Sequence, residues 1–215
     1  DDLMAKLGIL PEDLIEGAYM DLLEQPRTDR PAFPVLRTER LLLREFRLDD
    51  IPTVFEIFRR EDVNAWLDRD PMKTIEEAER SVRSRMSLFP NGLGFRWAIT
   101  LKDDPDRLIG SCGYFSVRRG TATFEMGYEL HPDYWQGGIM TEALRAVIDF
   151  SYGNQVLLPV HRIEALVMPG NTGSIRLLEK LGFKNESLRR EFGFWKGRHQ
   201  DVILFALLPG EWNRG

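Results

Sequence analysis

The chain has 215 residues, 43% apolar and 29% charged, with a formal net charge of −5 and a single cysteine. Those values fit one folded domain with a small appendage and exclude a disordered, fibrous or disulfide-stapled protein. They leave no extended positive field for a nucleic-acid backbone, although a local basic pocket stays compatible. An acidic surface suits cationic partners such as amines, and solubility is the simpler reading of the same charge.

The longest apolar runs, such as VILFALL at 202–208, are strand-sized, far short of the roughly 20 residues a membrane span needs. The start, DDLMAKLGIL, shows no basic leader before an apolar block, and its lack of an initiator Met leaves a removed leader open. Cys112 can form neither an internal disulfide nor a metal site alone. The expected setting is therefore the cytoplasm, with neither membrane nor nucleic acid as partner.

Residues 1–34 read as an extension: an amphipathic helix in PEDLIEGAYMDLLEQ, with Leu14, Ala18, Leu22 and Leu23 on one face, then a Pro-rich connector. Residues 35–215 form the main domain. RLLLREF (40–46) predicts a strand, and LDDIPTVFEIFRR a helix capped by Asp49 or Asp50 with Pro52 in its first turn. TIEEAERSVRSRMSLF predicts a second helix, with Thr74 and Glu77 spaced as a capping box. FRWAITL (95–101), RLIGSCGYFSV (107–117) and TATFEMGYEL (121–130) follow, separated by the turn sequences KDDPD and RRG, and predict an antiparallel meander. Trp66, Phe89, Phe95 and Trp97 are expected in the core or lining a groove, and Arg189, Arg190 and Glu191 on exposed surface. A helix at 141–153, a strand at 162–168, a helix at 172–182 and a strand at 201–208 complete an α/β sheet of mixed direction with helices on its faces.

HPDYWQGGIM (131–140) joins the third meander strand to a helix. That context gathers unpaired N–H groups, from about Gly137 to Thr141, at a helix N-terminus where the dipole favours an anion. Glycine lets a phosphate approach the main chain, and it also serves any tight turn, so both readings stand on these residues alone. Neither a P-loop nor a G-x-G-x-x-G fingerprint is present, and no G-x-S-x-G elbow points to a hydrolase.

GYELHPDYWQGGIMTEALRAVIDFSYGNQVLLPVHRIEALVMPGNTGSIRLLEKLGFKNE (127–186) resembles the GNAT superfamily of acetyltransferases, and within it the RimJ/RimL group of ribosomal-protein N-terminal acetyltransferases. RTERLLLREFRLDD (37–50) and GRHQDVILFALLPGEW (197–212) resemble the same group. The resemblance implies the GNAT fold, a mixed, mostly antiparallel sheet with helices on both faces. It implies acetyl-coenzyme A as cosubstrate, with its pyrophosphate on Gln136, Gly137, Gly138, Ile139, Met140 and Thr141. The strand ending at Leu130 is implied to splay from its neighbour, exposing backbone near Tyr128 and Leu130 to the pantetheine arm. Asn171 is implied to contact that arm and Ser174 to sit near the sulfur, although both residues are also good helix caps. Two departures are visible. Trp135 and Met140 occupy the first and last positions of the pyrophosphate signature, and Leu178 stands where many relatives place a tyrosine acid.

Acetyl transfer from a thioester to an amine needs a neutral amine and a proton for the departing thiolate. Neutralising a lysine at pH 7 costs roughly 3 kcal/mol more than neutralising an α-amine, whose pKa is near 8. Glu125 is the expected base: it lies on the strand leading to the junction, near the catalytic glutamate of known GNAT enzymes. Alternation sets Glu125, Gly127 and Glu129 on one face and Phe124, Met126, Tyr128 and Leu130 on the other. Glu129 is the second candidate, since paired glutamates raise each other's pKa. His131 is expected as a turn residue; His161 and His199 are unspecific, Cys112 packs in the core, and no metal-ligand spacing appears.

The expected activity is N-acetyl transfer by direct attack in a ternary complex, favoured on a protein or peptide N-terminal amine. A small amine such as a polyamine, amino-acid derivative or antibiotic is the alternative acceptor. A non-catalytic coenzyme A-binding module is the alternative of another class, and a homodimer is compatible with either.

Overall fold

The computed structural model describes residues 32–153 and 159–213, so the N-terminal helix expected before residue 31 lies outside the described residues. Chain order is β1 (Leu36–Arg37), β2 (Leu41–Arg44), α1 (Ile51–Phe58), α2 (Glu61–Asn64), α3 (Ile75–Leu88), β3 (Phe95–Leu101), β4 (Asp104–Arg118) and β5 (Thr123–Leu130). There follow α4 (Ile139–Ser151), β6 (Arg162–Val167), α5 (Thr172–Lys180), β7 (Lys184–Trp195) and β8 (Arg198–Leu207). The strands form one eight-stranded sheet in the order β1-β2-β3-β4-β5-β6-β8-β7. Every neighbouring pair is antiparallel except β5 with β6.

Strand alternation sorts the side chains into two cores. Trp97, Ile99, Phe124, Met126, Ile163 and Phe205 point to the face covered by α4 and α5, where Leu144, Ile148 and Leu178 meet them. Ala98 and Leu108 point to the other face, which α1 and α3 cover with Val54, Ile57, Phe58, Ala78 and Val82. Phe95 and Trp97 anchor an aromatic cluster with Phe33, Phe89 and Phe150, ring centroids 5.2–6.3 Å apart. Such pairs contribute about 0.5–1.5 kcal/mol each beyond area burial.

The β5–β6 ladder is short. Only Thr123, Phe124 and Glu125 pair with Arg162, Ile163 and Glu164, after which the two strands separate. A bulge in β4 causes the divergence locally: Tyr114 faces Met126 and Ser116 faces Glu125, leaving Phe115 as the extra residue at the level where pairing with β6 ends. A bulge bends its strand and increases its twist, which turns the rest of β5 away from β6.

Several local expectations are corrected. Asp50 does occupy the N-cap of α1, but its carboxylate makes no cap bond. It is buried and forms a bidentate pair with Arg44 (2.7 and 2.9 Å). Thr74 makes no side-chain cap bond either, and Glu77 accepts from the Lys73 N–H instead, so the capping box does not form. Trp66 is 44% exposed and lines a groove, the second of its two expected places. Residues 184–195 form an unexpected edge strand, β7, in which Arg190 and Glu191 are exposed as expected and Arg189 is partly buried.

Candidate active site

The start of α4 shows why the glycine pair sits where it does. Gly138 is the N-cap with φ +76°, and Gln136 also has positive φ, at +61°. Left-handed residues on either side of Gly137 turn successive amides toward one side, and the first-turn amides of the helix point out of its end without an intrahelical acceptor. Gln136, Gly137 and Gly138 are exposed, whereas the Ile139 and Met140 side chains are buried. The latter two residues therefore offer the exterior only their main chain.

Arg40, absent from the sequence-based site, completes this cradle. Its guanidinium donates to Gly137 O (3.0 Å) and Glu142 Oε2 (2.7 Å), and its backbone N–H donates to Glu142 Oε1 (2.8 Å). A guanidinium from the turn before β2, ion-paired with Glu142 of the first helical turn, thus sits against the helix N-terminus. An anionic diphosphate fits the helix dipole and the glycine backbone, while the Glu142 carboxylate offsets the Arg40 charge.

Beyond Glu125, β5 has no partner strand on its β6 side, so Met126 to Leu130 border a cleft whose other wall is the end of β6 and the start of α5. Asn171 caps α5, its Oδ1 accepting from the Ser174 N–H at 3.1 Å. This fixes the first turn of the helix, in which Ser174 lies. Tyr128 and Leu130 lie on the stretch of β5 beyond its pairing with β6, Leu130 with its side chain in the core and its carbonyl accepting from the Trp135 indole (2.8 Å). Free strand backbone next to an anion cradle fits an extended, amide-bearing arm that ends in a diphosphate.

The other face of β5 separates the two glutamates. Glu125 is half-buried, and its carboxyl pKa is raised, first by burial and then by Glu164 and Asp68, against the Arg118 and Arg189 charges. Glu129 is a correction to the expectation of a second base. Its side chain is 7% exposed and is held by Arg96, Arg85 (3.1 Å) and the Ser111 hydroxyl. Burial alone would raise the carboxyl, but Arg96 and Arg85 outweigh it and hold the pKa at about 2. Gly127 between them is glycine because a Cβ there would come within 2.9 Å of both the Arg96 guanidinium and the Phe115 ring.

A separate open groove of about 340 Å³ is lined by Trp66, Met168, Pro169, Lys196 and Arg198, among others, and by no residue of β5 or α5. Lys196 donates to Asn64 O and Ala65 O, tying the β7–β8 hairpin to the segment after α2. His131 is a turn residue, its Nδ1 accepting from the Asp133 N–H (3.2 Å). Cys112 is fully buried, with its thiol pushed up to about 12 by burial. Among the described residues no His, Cys, Asp and Glu group is arranged to hold a metal ion, and no helix is long and apolar enough to cross a membrane.

Comparison with known proteins meets this geometry at every level. Residues 40–184 match the family model for the acetyltransferase (GNAT) domain. An uncharacterized N-acetyltransferase of Bacillus licheniformis is 33% identical over 177 residues, covering 82% of this chain and 97% of that protein. The ribosomal protein uS5-alanine N-acetyltransferase of Escherichia coli (strain K12) is 36% identical over 116 residues, covering 52% of this chain and 58% of that protein. A solved RimL structure, a ribosomal L7/L12 alpha-N-protein acetyltransferase in complex with coenzyme A, superposes with a TM-score of 0.70 at 18% identity, covering 81% of this chain and 98% of that one. At that identity the likeness speaks for the fold. With the family model spanning more than half of the chain, and the fold, the splayed strands and the glycine-opened helix all in place, the protein belongs to the GNAT acetyltransferase family.

Proposed function

We propose that the protein transfers the acetyl group of acetyl-coenzyme A to the N-terminal amine of a protein or peptide, by direct attack in a ternary complex. The observation that carries this reading is the point at which β5 leaves β6. The last pair is Glu125 with Glu164, so a half-buried carboxylate of raised pKa stands at the apex of the cleft.

In this reading the amides of residues 136–141, with Arg40 beside them, bind the diphosphate of the cosubstrate. The free edge of β5 at Tyr128 to Leu130, with Asn171 opposite, aligns the pantetheine arm. Glu125 accepts a proton from the incoming ammonium, directly or through one water, and frees the nitrogen lone pair for the thioester carbon. As the carbon–sulfur bond breaks, Ser174 donates a hydrogen bond to the departing sulfur, and the second proton lost by the nitrogen as the carbon–nitrogen bond forms goes to the thiolate to give the thiol. An α-amine asks little of the base: its pKa near 8 leaves a substantial neutral fraction at pH 7, whereas a lysine near 10.4 does not. The similarity to the uS5-alanine enzyme supports a protein or peptide terminus as acceptor.

The test is acetylation of a peptide panel with free or blocked N-termini, beside small amines, followed by mass spectrometry and by thiol release. Free N-termini are expected to react fastest. Equal labelling of blocked peptides at lysine, or a preference for polyamines, would remove the proposed acceptor.

A further inference from the structure

Glu129 is one carboxylate among several guanidiniums, and its oxygens are taken by Arg96, by Arg85 (3.1 Å) and by the Ser111 hydroxyl. Arg69, on the segment after α2, places its guanidinium 4.0 Å over the Phe58 ring, and its Nη2 is buried without a hydrogen-bond partner. Arg85 stands 5.2 Å from the same ring, and its Nε is buried and unpartnered as well. Buried donors without partners are rare in native proteins, and each asks for an explanation. Here both belong to cations, where an uncompensated group costs most. Burial lowers the Arg85 pKa to about 10 against the pull of Glu129, and Arg96 and Arg69 push it the same way. The cluster is short of an anion.

It is also within reach of one. Arg69 borders an open groove of about 560 Å³ between residues 69–73 and α3. Ser81, from the same lining, accepts from Arg85 through its carbonyl (3.2 Å) and its hydroxyl. The groove has two carboxylates of its own, Asp70 and Glu77, set against Lys73 and Arg80, and Glu77 is occupied by the Lys73 N–H (2.8 Å). On the side of the reaction, Arg96 donates to Gly127 O (2.7 Å). Gly127 follows Glu125 on one face of β5, roughly 7 Å further along the strand.

We propose that Arg69 and Arg85 bind a carboxylate of the acceptor, so that the enzyme prefers a peptide N-terminus whose second residue is Asp or Glu. The inference rests on the reading of Glu125 as base and of a peptide terminus as acceptor. In an extended peptide the second side chain lies roughly 6–7 Å from the terminal nitrogen, which matches the step from Glu125 to Gly127. A carboxylate suits the unpartnered donors because it is planar, charged and able to accept from two N–H groups at once.

The full chain is assayed with acetyl-coenzyme A and the amidated peptides Ala-Asp-Ala and Ala-Asn-Ala, which differ in a single charged group. The kcat/KM should favour the aspartyl peptide at least about tenfold, and Arg69→Met should bring the ratio to within about twofold of one. Methionine keeps apolar contact with Phe58 and removes an unpaired cation, so this variant should melt at or above the parent temperature. Arg69→Lys keeps the charge without the planar fork and should show an intermediate preference. A second readout needs no turnover: calorimetric titration with the two peptides already acetylated at their N-termini. The parent should bind the aspartyl form at least about tenfold more tightly, and Arg69→Met should lose that margin. If neither free peptide is acetylated, the peptide-terminus reading falls, and the titration still decides the carboxylate site. Equal kcat/KM for the two peptides, a preference that survives Arg69→Met, or inorganic phosphate binding more tightly than the acetylated aspartyl peptide each overturns the inference.

Discussion

Glu125 and Glu129 lie four residues apart on one face of one strand, and their surroundings send them in opposite directions. At Glu125, burial and the neighbouring carboxylates outweigh Arg118 and Arg189, so the group takes its proton at higher pH than a free glutamate. If Glu125 is the base, the acid limb of the kcat/KM profile lies above the ordinary glutamate value of 4.5, with activity rising as pH climbs through it. Glu125→Gln should remove that limb and lower turnover by about a hundredfold; a profile that keeps its limb would reject the assignment. At Glu129 two guanidiniums win over burial. Its depressed pKa contributes stability that is fully present above the unfolded value near 4.5 and is lost as pH falls toward about 2. Glu129→Gln leaves Arg85 and Arg96, 15% and 6% exposed, without a counter-charge, and is expected to cost roughly 3–5 kcal/mol in urea unfolding. It should also flatten the acid dependence of stability in that window. Alternation placed both glutamates on one face correctly, but the arginines that distinguish them come from β3 and α3. Nothing in TATFEMGYEL announces them; the only hint is Arg96 inside the otherwise apolar run FRWAITL.

At the scale of elements, the opening of α4 is the most informative junction. Its left-handed N-cap at φ +76° is a conformation that a β-branched residue adopts only with strain of about 1–3 kcal/mol. Gly138→Val should therefore raise the KM for acetyl-coenzyme A more than tenfold while changing kcat far less, because a side chain and a strained turn disturb the amide cradle and not the base. An unchanged KM would mean that the diphosphate binds elsewhere. The same scale shows where local rules were overruled. Asp50 and Thr74 have the sequence of caps, yet Asp50 is drawn into a buried pair with Arg44, and Glu77 takes the Lys73 amide. Competing partners across the fold decide such details. The edge strand β7 escaped notice because its residues are nearly all exposed, so KNESLRREFGFW carries no alternation to read.

At the scale of the whole molecule, the sheet is continuous on both sides and open in the middle, where three residue pairs join β5 to β6 before the strands part. A ligand lying in that opening supplies the missing ladder. Saturating acetyl-coenzyme A should protect amides from hydrogen exchange in 126–130 and at the start of α5. At one hundred times the dissociation constant it should stabilise the chain by about 2.7 kcal/mol. A thermal shift without protection in the cleft would point to a different site. The sequence by itself determined the order of most elements, the meander, the two faces of β5 and the glycine-opened helix. Those follow from periodicity, turn chemistry and backbone sterics, which act between near neighbours. Only the tertiary structure decided that Glu129 is spent in an ion pair, that Arg40 reaches Gly137, and that the Tyr128 hydroxyl is buried. Each of these depends on segments distant in the chain, whose meeting is fixed by sheet order and packing.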